Sequence, residues 1–337
     1  MTNILICVDG YNVIGLGHIY RTISLANRLK DHNVLFVSKK KHQLGIDLIK
    51  NHNLNLKVFD TIREFWDIIS NFSPSIVIND ILDTKVDYIN SLKEKKIFVV
   101  NFEDLGKGSK IADLIINALY EGKRNTGYYY WGKDYYILRE EFHNIGNTEI
   151  KKEVKNILIT YGGTDPNNYS KKVLDVINNL NLKDLKINII LGLGYKQPEL
   201  LKQSVKDYKL DLTIKQNVKN ISTYMYQADI AFTSAGRTVY ELASIGTPTI
   251  VLAQNEREVL HTFADEKNGI INLGLGYNCS DEEIKDVFLK LTNDFEFRKN
   301  VHNLMLKNKL KSGINNVINL IFSQYEKFQE GTSNEKY

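Results

Sequence analysis

Ile4-Leu5-Ile6-Cys7-Val8 leads through Asp9-Gly10-Tyr11-Asn12 into Gly15-Leu16-Gly17-His18-Ile19-Tyr20-Arg21, after which Ile23, Ala26 and Leu29 continue the helical spacing begun by Ile19. The first run is apolar on both faces, so it reads as a strand covered by helices on each side, the pattern of a parallel sheet. The glycine loop joins that strand to the helix. Further short runs rich in Ile and Val stand at residues 34–37, 76–78, 97–100 and 114–116, separated by longer amphipathic stretches. The rhythm stops at a polar break, residues 144–155, and restarts with runs at 157–159, 187–191, 212–214, 230–232, 249–252 and 270–273. Strands alternating with helical patterns make βαβ units, so two doubly wound parallel sheets of an α/β protein are expected. A length of 337 residues agrees, since single cores stop growing near roughly 250 to 300 residues. The expected division is 1–148, 149–325 and a polar tail, 326–337, whose end frays.

Hydrophobic residues at 43% and charged residues at 25% allow a buried core and argue against general disorder. The net charge of +4 is scattered, with only short clusters such as Lys39-Lys40-Lys41. That suits a small anionic substrate and lacks the basic stripe of a nucleic-acid-binding protein. Cys7 and Cys279 are far apart and give neither a disulfide framework nor zinc spacing. The opening residues have no basic leader, and the apolar run there is too short for a signal peptide or a membrane span, so a cytoplasmic protein is expected. The densest aromatic stretch, Tyr128-Tyr129-Tyr130-Trp131-Gly132-Lys133-Asp134-Tyr135-Tyr136, reads first as packing at the end of the first domain and second as a stacking surface for a sugar or base.

Ligands of open α/β sheets bind beyond the carboxyl ends of the strands, where the loop after residues 4–8 must lie. Gly15 and Gly17 let the backbone approach a ligand, the following helix start favours an anion, and His18 there is a candidate general base. The loop is not a dinucleotide fingerprint, because Tyr20 stands where the third glycine of GxGxxG would be. Arg21, on the same helix face as His18, either holds a phosphate or carboxylate of the substrate or pairs with Asp80 or Asp83.

The second half carries comparable loops. Tyr161-Gly162-Gly163-Thr164-Asp165-Pro166 follows an apolar run; Gly162 and Gly163 can bare consecutive amides, and Asp165 before Pro166 reads as a helix N-cap. Thr233-Ser234-Ala235-Gly236-Arg237-Thr238-Val239-Tyr240-Glu241 is the more specific loop. Its small residues leave room for a diphosphate, with hydroxyls from Ser234 and Thr238, amides from Ala235, Gly236 and Arg237, and the Arg237 guanidinium as donors. Glu241 can accept from both hydroxyls of a ribose, or pair with Arg237 four residues earlier. After the run at 249–252, Asn255, Glu256 and Arg257 are candidates for reading sugar substituents, with His261 on the helix face of Arg257; a solvated helix start is the plainer reading.

Together these motifs resemble the UDP-sugar hydrolase of pseudaminic acid synthesis and its relative, the spore-coat polysaccharide protein, within the GT-B glycosyltransferase superfamily. The matching elements are GxGHxxR, GGxDPxN, SAGxTxxEL with Gly246-Thr247-Pro248, Asn79-Asp80-Ile81-Leu82-Asp83, Asp104, Asp113-Leu114-Ile115-Ile116-Asn117, and the segment from Trp131-Gly132-Lys133 to Leu138-Arg139-Glu140-Glu141-Phe142. The resemblance implies a GT-B fold, two Rossmann-like domains facing each other across a cleft, with the nucleotide held mainly by the second. It implies a nucleotide-sugar substrate, no cofactor and no metal. His18, with Asp80 or Asp83, would activate water at sugar C1; Ser234 to Thr238 would hold the diphosphate, Glu241 the ribose, and the backbone near Val218 the base. Two departures stand out. The hydrolase pattern has a tyrosine after the third strand, whereas Asn79-Asp80-Ile81-Leu82-Asp83 has none, and Asn255-Glu256-Arg257-Glu258 replaces a usual Asn-Gln, so the sugar read there is expected to differ. Hydrolase, glycosyltransferase and non-catalytic nucleotide-sugar binder are the three readings, separated by whether nucleoside diphosphate is released without acceptor, only with acceptor, or never.

Overall fold

The computed structural model describes residues 1–10, 16–122 and 127–334. The chain forms two compact units, one of Met1–Leu138 with Ser312–Tyr337 and one of Arg139–Lys311. In the first, strands β1 (Asn3–Val8), β2 (Asn33–Lys39), β3 (Leu56–Phe59), β4 (Ile76–Asp80), β5 (Phe98–Phe102), β6 (Leu114–Asn117) and β7 (Tyr129–Trp131) make a sheet of order β3-β2-β1-β4-β5-β6-β7. Every neighbouring pair is parallel. Alternate residues of one strand go to opposite faces: Ile4, Ile6 and Val8 join one core cluster, Leu5 and Cys7 the other. This is why the strands read as unbroken apolar runs. The edge strands β3 and β7 were not legible that way, because β3 exposes Lys57 and Val58 and β7 is three half-buried aromatic residues.

The second unit repeats the plan with β8 (Asn156–Ile159), β9 (Lys186–Leu191), β10 (Asp211–Gln216), β11 (Ile230–Thr233), β12 (Thr249–Ala253) and β13 (Ile270–Leu275), in the order β10-β9-β8-β11-β12-β13. These pairs too are parallel. Both orders run 3-2-1-4-5-6 from the edge, so each sheet reverses direction of winding once, between β1 and β4 and between β8 and β11. Ligand crevices in doubly wound sheets open at that reversal, outside the strand carboxyl ends.

The end of the chain differs from the expected division. The expected division puts residues 313–325 in the second domain and the rest in a polar tail, yet helix Gly313–Asn334 belongs to the first unit, and the expected fraying falls partly on residues 335–337, outside the described residues. Its Ile314, Val317 and Ile321 are buried in the same cluster as Ile4 and Ile6, while Tyr325 and Phe328 lie 5.7 and 5.4 Å from the Phe98 ring. Each buried aliphatic side chain contributes roughly 1.5–3 kcal/mol, more than enough to anchor a helix whose exposed face is polar. The boundary between units also falls at Leu138/Arg139, before the polar break rather than within it. Of the aromatic stretch, Tyr136 is fully buried, and Tyr129 and Trp131 stack at 5.6 Å, which is the packing alternative for these residues.

Candidate active site

In the first unit, Val8 pairs with Asp80 across the winding reversal, so the end of β4 stands beside the start of helix Gly17–Asn27. His18 in the first turn of that helix bonds Asp80 Oδ1 through Nδ1. Arg21, one turn on, donates from Nε to Asp80 Oδ2 at 2.6 Å, from Nη2 to Asp80 Oδ1 at 2.5 Å and from Nη1 to Glu103 Oε1 at 2.7 Å. Its guanidinium also lies 5.0 Å from the centre of the Phe102 ring. Arg21 is 2% exposed, Asp80 0% and Glu103 1%, so this is a buried ion cluster with only the imidazole at its open end. Burial alone would raise the Asp80 pKa; Arg21 and His18 outweigh it and hold the carboxyl well below the usual carboxylate range. A carboxylate on Nδ1 places the ring proton there and leaves the Nε2 lone pair as base, the orienting role that an aspartate plays in a catalytic triad. Among the described residues none bonds Nε2.

This decides between two pairs of alternatives. Arg21 takes the ion pair with Asp80 rather than a substrate phosphate, its guanidinium committed to two buried carboxylates. Asp83 does not meet His18: it is exposed, and its Oδ1 accepts from the Leu105 amide at 3.1 Å. Gly17 opens the helix, and Gly15 lies outside the described residues. Glu103 went unnoticed in the sequence, since nothing local marks it. Asp104, part of the family resemblance, is structural: it accepts from the Thr84 amide and hydroxyl, Asn101 and the Gly106 amide, tying the loops after β4 and β5.

In the second unit the loops after β8 and β11 meet. Gly162, at φ +70°, adopts a left-handed conformation suited to glycine, and a Cβ there would sit 3.6 Å from Thr238 Oγ1. Gly163 follows, its carbonyl accepting from the Gly194 amide at 2.9 Å. Ser234 and Ala235 are buried and Gly236, Arg237 and Thr238 half-buried, and helix Thr238–Ile245 begins at their end. His261 Nδ1 lies 2.9 Å from the Ala235 carbonyl, so this histidine braces the loop. Asp165 is buried and accepts from the Tyr169 and Ser170 amides and from Gln254 Nε2, so its carboxylate serves the first turn of a helix, as expected; that helix, Tyr169–Asn179, starts three residues beyond Pro166 rather than at it, and Asn168 holds the N-cap position.

Glu241 is 5% exposed and takes Arg139 in a two-pronged pair, Nε to Oε1 at 2.6 Å and Nη2 to Oε2 at 2.7 Å. Such a pair fixes the carboxylate plane and leaves a second lone pair on each oxygen. Arg139 entered the sequence reading only as part of a matching segment. Asn255 caps the short helix Glu256–Val259, accepting from the Glu258 amide, so it serves the backbone. Glu256 is exposed and accepts from the Tyr277 hydroxyl at 2.7 Å; Arg257 is half-buried. Glu258, marked in the sequence only as part of the segment that departs from the family pattern, turns onto the Ser234 loop: it accepts from the Ser234 hydroxyl, the Ala235 amide and, at 2.8 Å, the Gln254 amide. Burial raises its pKa, and those three donors offset the rise only in part. Beyond the carboxyl end of β10, Val218 lines a cavity of about 770 Å³ with Lys215, Asn217, Lys219 and Tyr224. Among the described residues no group of three or more His, Cys, Asp or Glu side chains is placed to hold a metal ion, and no helix is long and apolar enough to cross a membrane.

Two parallel α/β units with reversals of the same kind, each bearing polar loops at its strand carboxyl ends, make a GT-B fold, the architecture shared with solved glycosyltransferases. Residues 156–317, nearly the whole second unit, match the glycosyltransferase family 28 C-terminal domain. The relatives include an uncharacterised protein of Methanocaldococcus jannaschii, 33% identical over 75% of this chain and 56% of its own length. They also include the spore coat polysaccharide biosynthesis protein SpsG of Bacillus subtilis, 27% identical over 88% of this chain and 91% of that protein. A third is the pseudaminic acid cytidylyltransferase and UDP-2,4-diacetamido-2,4,6-trideoxy-beta-L-altropyranose hydrolase of Helicobacter pylori, 25% identical over 79% of this chain and 47% of that one. The chain thus spans about half the length of two of these relatives. Among solved structures, MurG of Acinetobacter baumannii superimposes with a TM-score of 0.68 at 15% identity, covering 96% of this chain and all of that one, a likeness of fold.

Proposed function

We propose that this chain is a nucleotide-sugar enzyme of surface-polysaccharide synthesis that hydrolyses the bond between sugar C1 and the diphosphate. The observation that carries the proposal is the Asp80–His18 dyad, a base with a buried, Arg21-anchored carboxylate behind it, at the winding reversal of the first sheet. His18 Nε2 takes a proton from water as the water oxygen bonds to C1 from the face opposite the diphosphate. The C1–O bond to the diphosphate breaks, its electron pair leaves with the nucleoside diphosphate, and the sugar is freed with inversion. The amides of Ala235 to Arg237, the hydroxyls of Ser234 and Thr238 and the Arg237 charge take the growing negative charge of the leaving group, a role for which a metal is not needed. Glu241, held by Arg139, receives the ribose hydroxyls, and Val218 lines the place for the base. Glu256 and Arg257 read the sugar. The Helicobacter pylori relative makes a UDP-linked diacetamido trideoxy sugar the first class to test.

The match to a glycosyltransferase domain favours one second reading, transfer to a sugar or lipid hydroxyl that takes the place of water. Incubation with UDP- and CDP-linked amino sugars separates the two. Release of nucleoside diphosphate without acceptor is the expected result; release only on adding an acceptor makes the enzyme a transferase. His18→Ala lowers turnover by about 100-fold or more in either case, and unchanged turnover removes His18 from the mechanism.

A further inference from the structure

An anion already occupies the loop assigned above to the diphosphate. Ser234 Oγ and the Ala235 amide, two of the donors facing that position, both bond the Glu258 carboxylate, and the Gln254 amide adds a third bond at 2.8 Å. The fit is close: a Cβ on Gly236 would stand 3.3 Å from Glu258 Oε1 and 3.4 Å from Ser234 Oγ. The segment that carries Glu258 is itself fixed to the loop's surroundings. Asn255 caps it by accepting from the Glu258 amide at 3.1 Å, and His261 at its far end reaches the Ala235 carbonyl. All three donors to Glu258 are neutral, in contrast to the Arg21 guanidinium that holds Asp80. A carboxylate and a phosphate cannot share the same two donors, because two anions at hydrogen-bonding distance from one hydroxyl and one amide repel each other.

We propose that the Glu258 carboxylate is a built-in competitor for the diphosphate, closing the Ser234–Gly236 donors in the empty protein and expelled when a nucleoside diphosphate binds. The proposal rests on the assignment of this loop to the diphosphate. A diphosphate prevails because it carries more charge and more acceptor oxygens, and it reaches donors that Glu258 does not use, the Thr238 hydroxyl among them. The competition weakens nucleotide binding and speeds departure of the product, since the carboxylate returns to its donors as the nucleoside diphosphate leaves. Glu258 therefore opposes binding although it lines the site, which is the reverse of what an ordinary contact residue does.

Calorimetric titration of UDP, with CDP as a second probe, into the full chain and its Glu258→Gln and Glu258→Ala variants tests this. Removing an anion that holds charge-assisted hydrogen bonds is expected to tighten binding by about 10-fold in Glu258→Ala and by less in Glu258→Gln, which keeps one acceptor. Stopped-flow displacement is expected to show the gain as slower dissociation. Unchanged or weaker binding in both variants, with wild-type binding intact, overturns the competitor role and leaves the diphosphate loop standing. Absence of UDP and CDP binding from all three proteins overturns the loop assignment and this proposal with it. The Gln variant preserves shape, so a result confined to a misfolded Ala variant still leaves a decisive comparison.

Discussion

Each unit of this protein sets a carboxylate against the start of the helix that follows a strand at its winding reversal, and the two are held in opposite ways. Asp80 is fully buried on a buried guanidinium, and its pKa is driven down. Glu258 bonds one hydroxyl and two amides, and its pKa is driven up. Breaking a buried ion pair leaves an uncompensated charge, so Asp80 is a fixed anion. A carboxylate on neutral donors gives up far less when another anion takes its place. The first unit thus keeps a permanent charge behind an imidazole, and the second keeps a carboxylate on donors that, in the function proposed, pass to the charge of the substrate.

The largest effect is expected from removing the cation on the fixed side. Arg21→Met should lower unfolding free energy by about 3–5 kcal/mol, because Asp80 and Glu103 remain buried without it. Acid unfolding followed by circular dichroism extends this test. The Asp80 pKa is depressed in the folded state, so its stabilisation is present above the unfolded carboxylate value, about 3.9, and is lost as pH falls below it. In Arg21→Met that acid-limb slope should be shallower; equal slopes would mean that the pair does not anchor Asp80.

Next in size is Asp80→Asn, which keeps the shape and His18 but offers the imidazole an amide that can donate to Nδ1 and so favours the wrong tautomer. Nucleoside diphosphate release should fall by about 100-fold or more, as with loss of the base itself. A variant with full activity would reduce Asp80 to a structural ion.

The smallest effect is the sharpest on the displaceable side. Ser234 is expected to donate to Glu258 in the empty protein and to phosphate in the complex, so Ser234→Ala should change UDP affinity by only about 2-fold in the wild-type background. In Glu258→Ala the same change should cost about 10-fold, the worth of one hydrogen bond to a charged group. Equal costs in the two backgrounds would show that Ser234 does not exchange one anion for another.

Much of the fold and the location of the candidate residues were legible because they depend on local pattern. Ile and Val runs apolar on both faces marked nearly every strand of the two sheets, and glycine-bearing loops between such runs and helical stretches put His18 and Ser234 at strand carboxyl ends. The partners of the site residues were legible only as alternatives or not at all. His18 finds Asp80, one of the two candidates implied by the family resemblance, 62 residues away, and Glu241 finds Arg139, which nothing in the sequence pointed to as its partner, 102 residues away. Neither spacing says anything until β1 lies beside β4, or helix Thr238–Ile245 beside residues 139–142.

What the amino-acid sequence determined by itself is therefore the alternation of strand and helix, the doubling of the sheet and the polar loops at its strand ends, all consequences of short-range periodicity and turn chemistry. Tertiary structure alone decided that Asp80 rather than Asp83 backs His18, that Arg21 is internal, that Glu258 occupies the Ser234 loop, and that helix Gly313–Asn334 returns to the first unit. The physical reason is common to all four. A hydrogen bond or an apolar contact is selected by register and burial among distant segments, and the energy that fixes it exists only once those segments have packed.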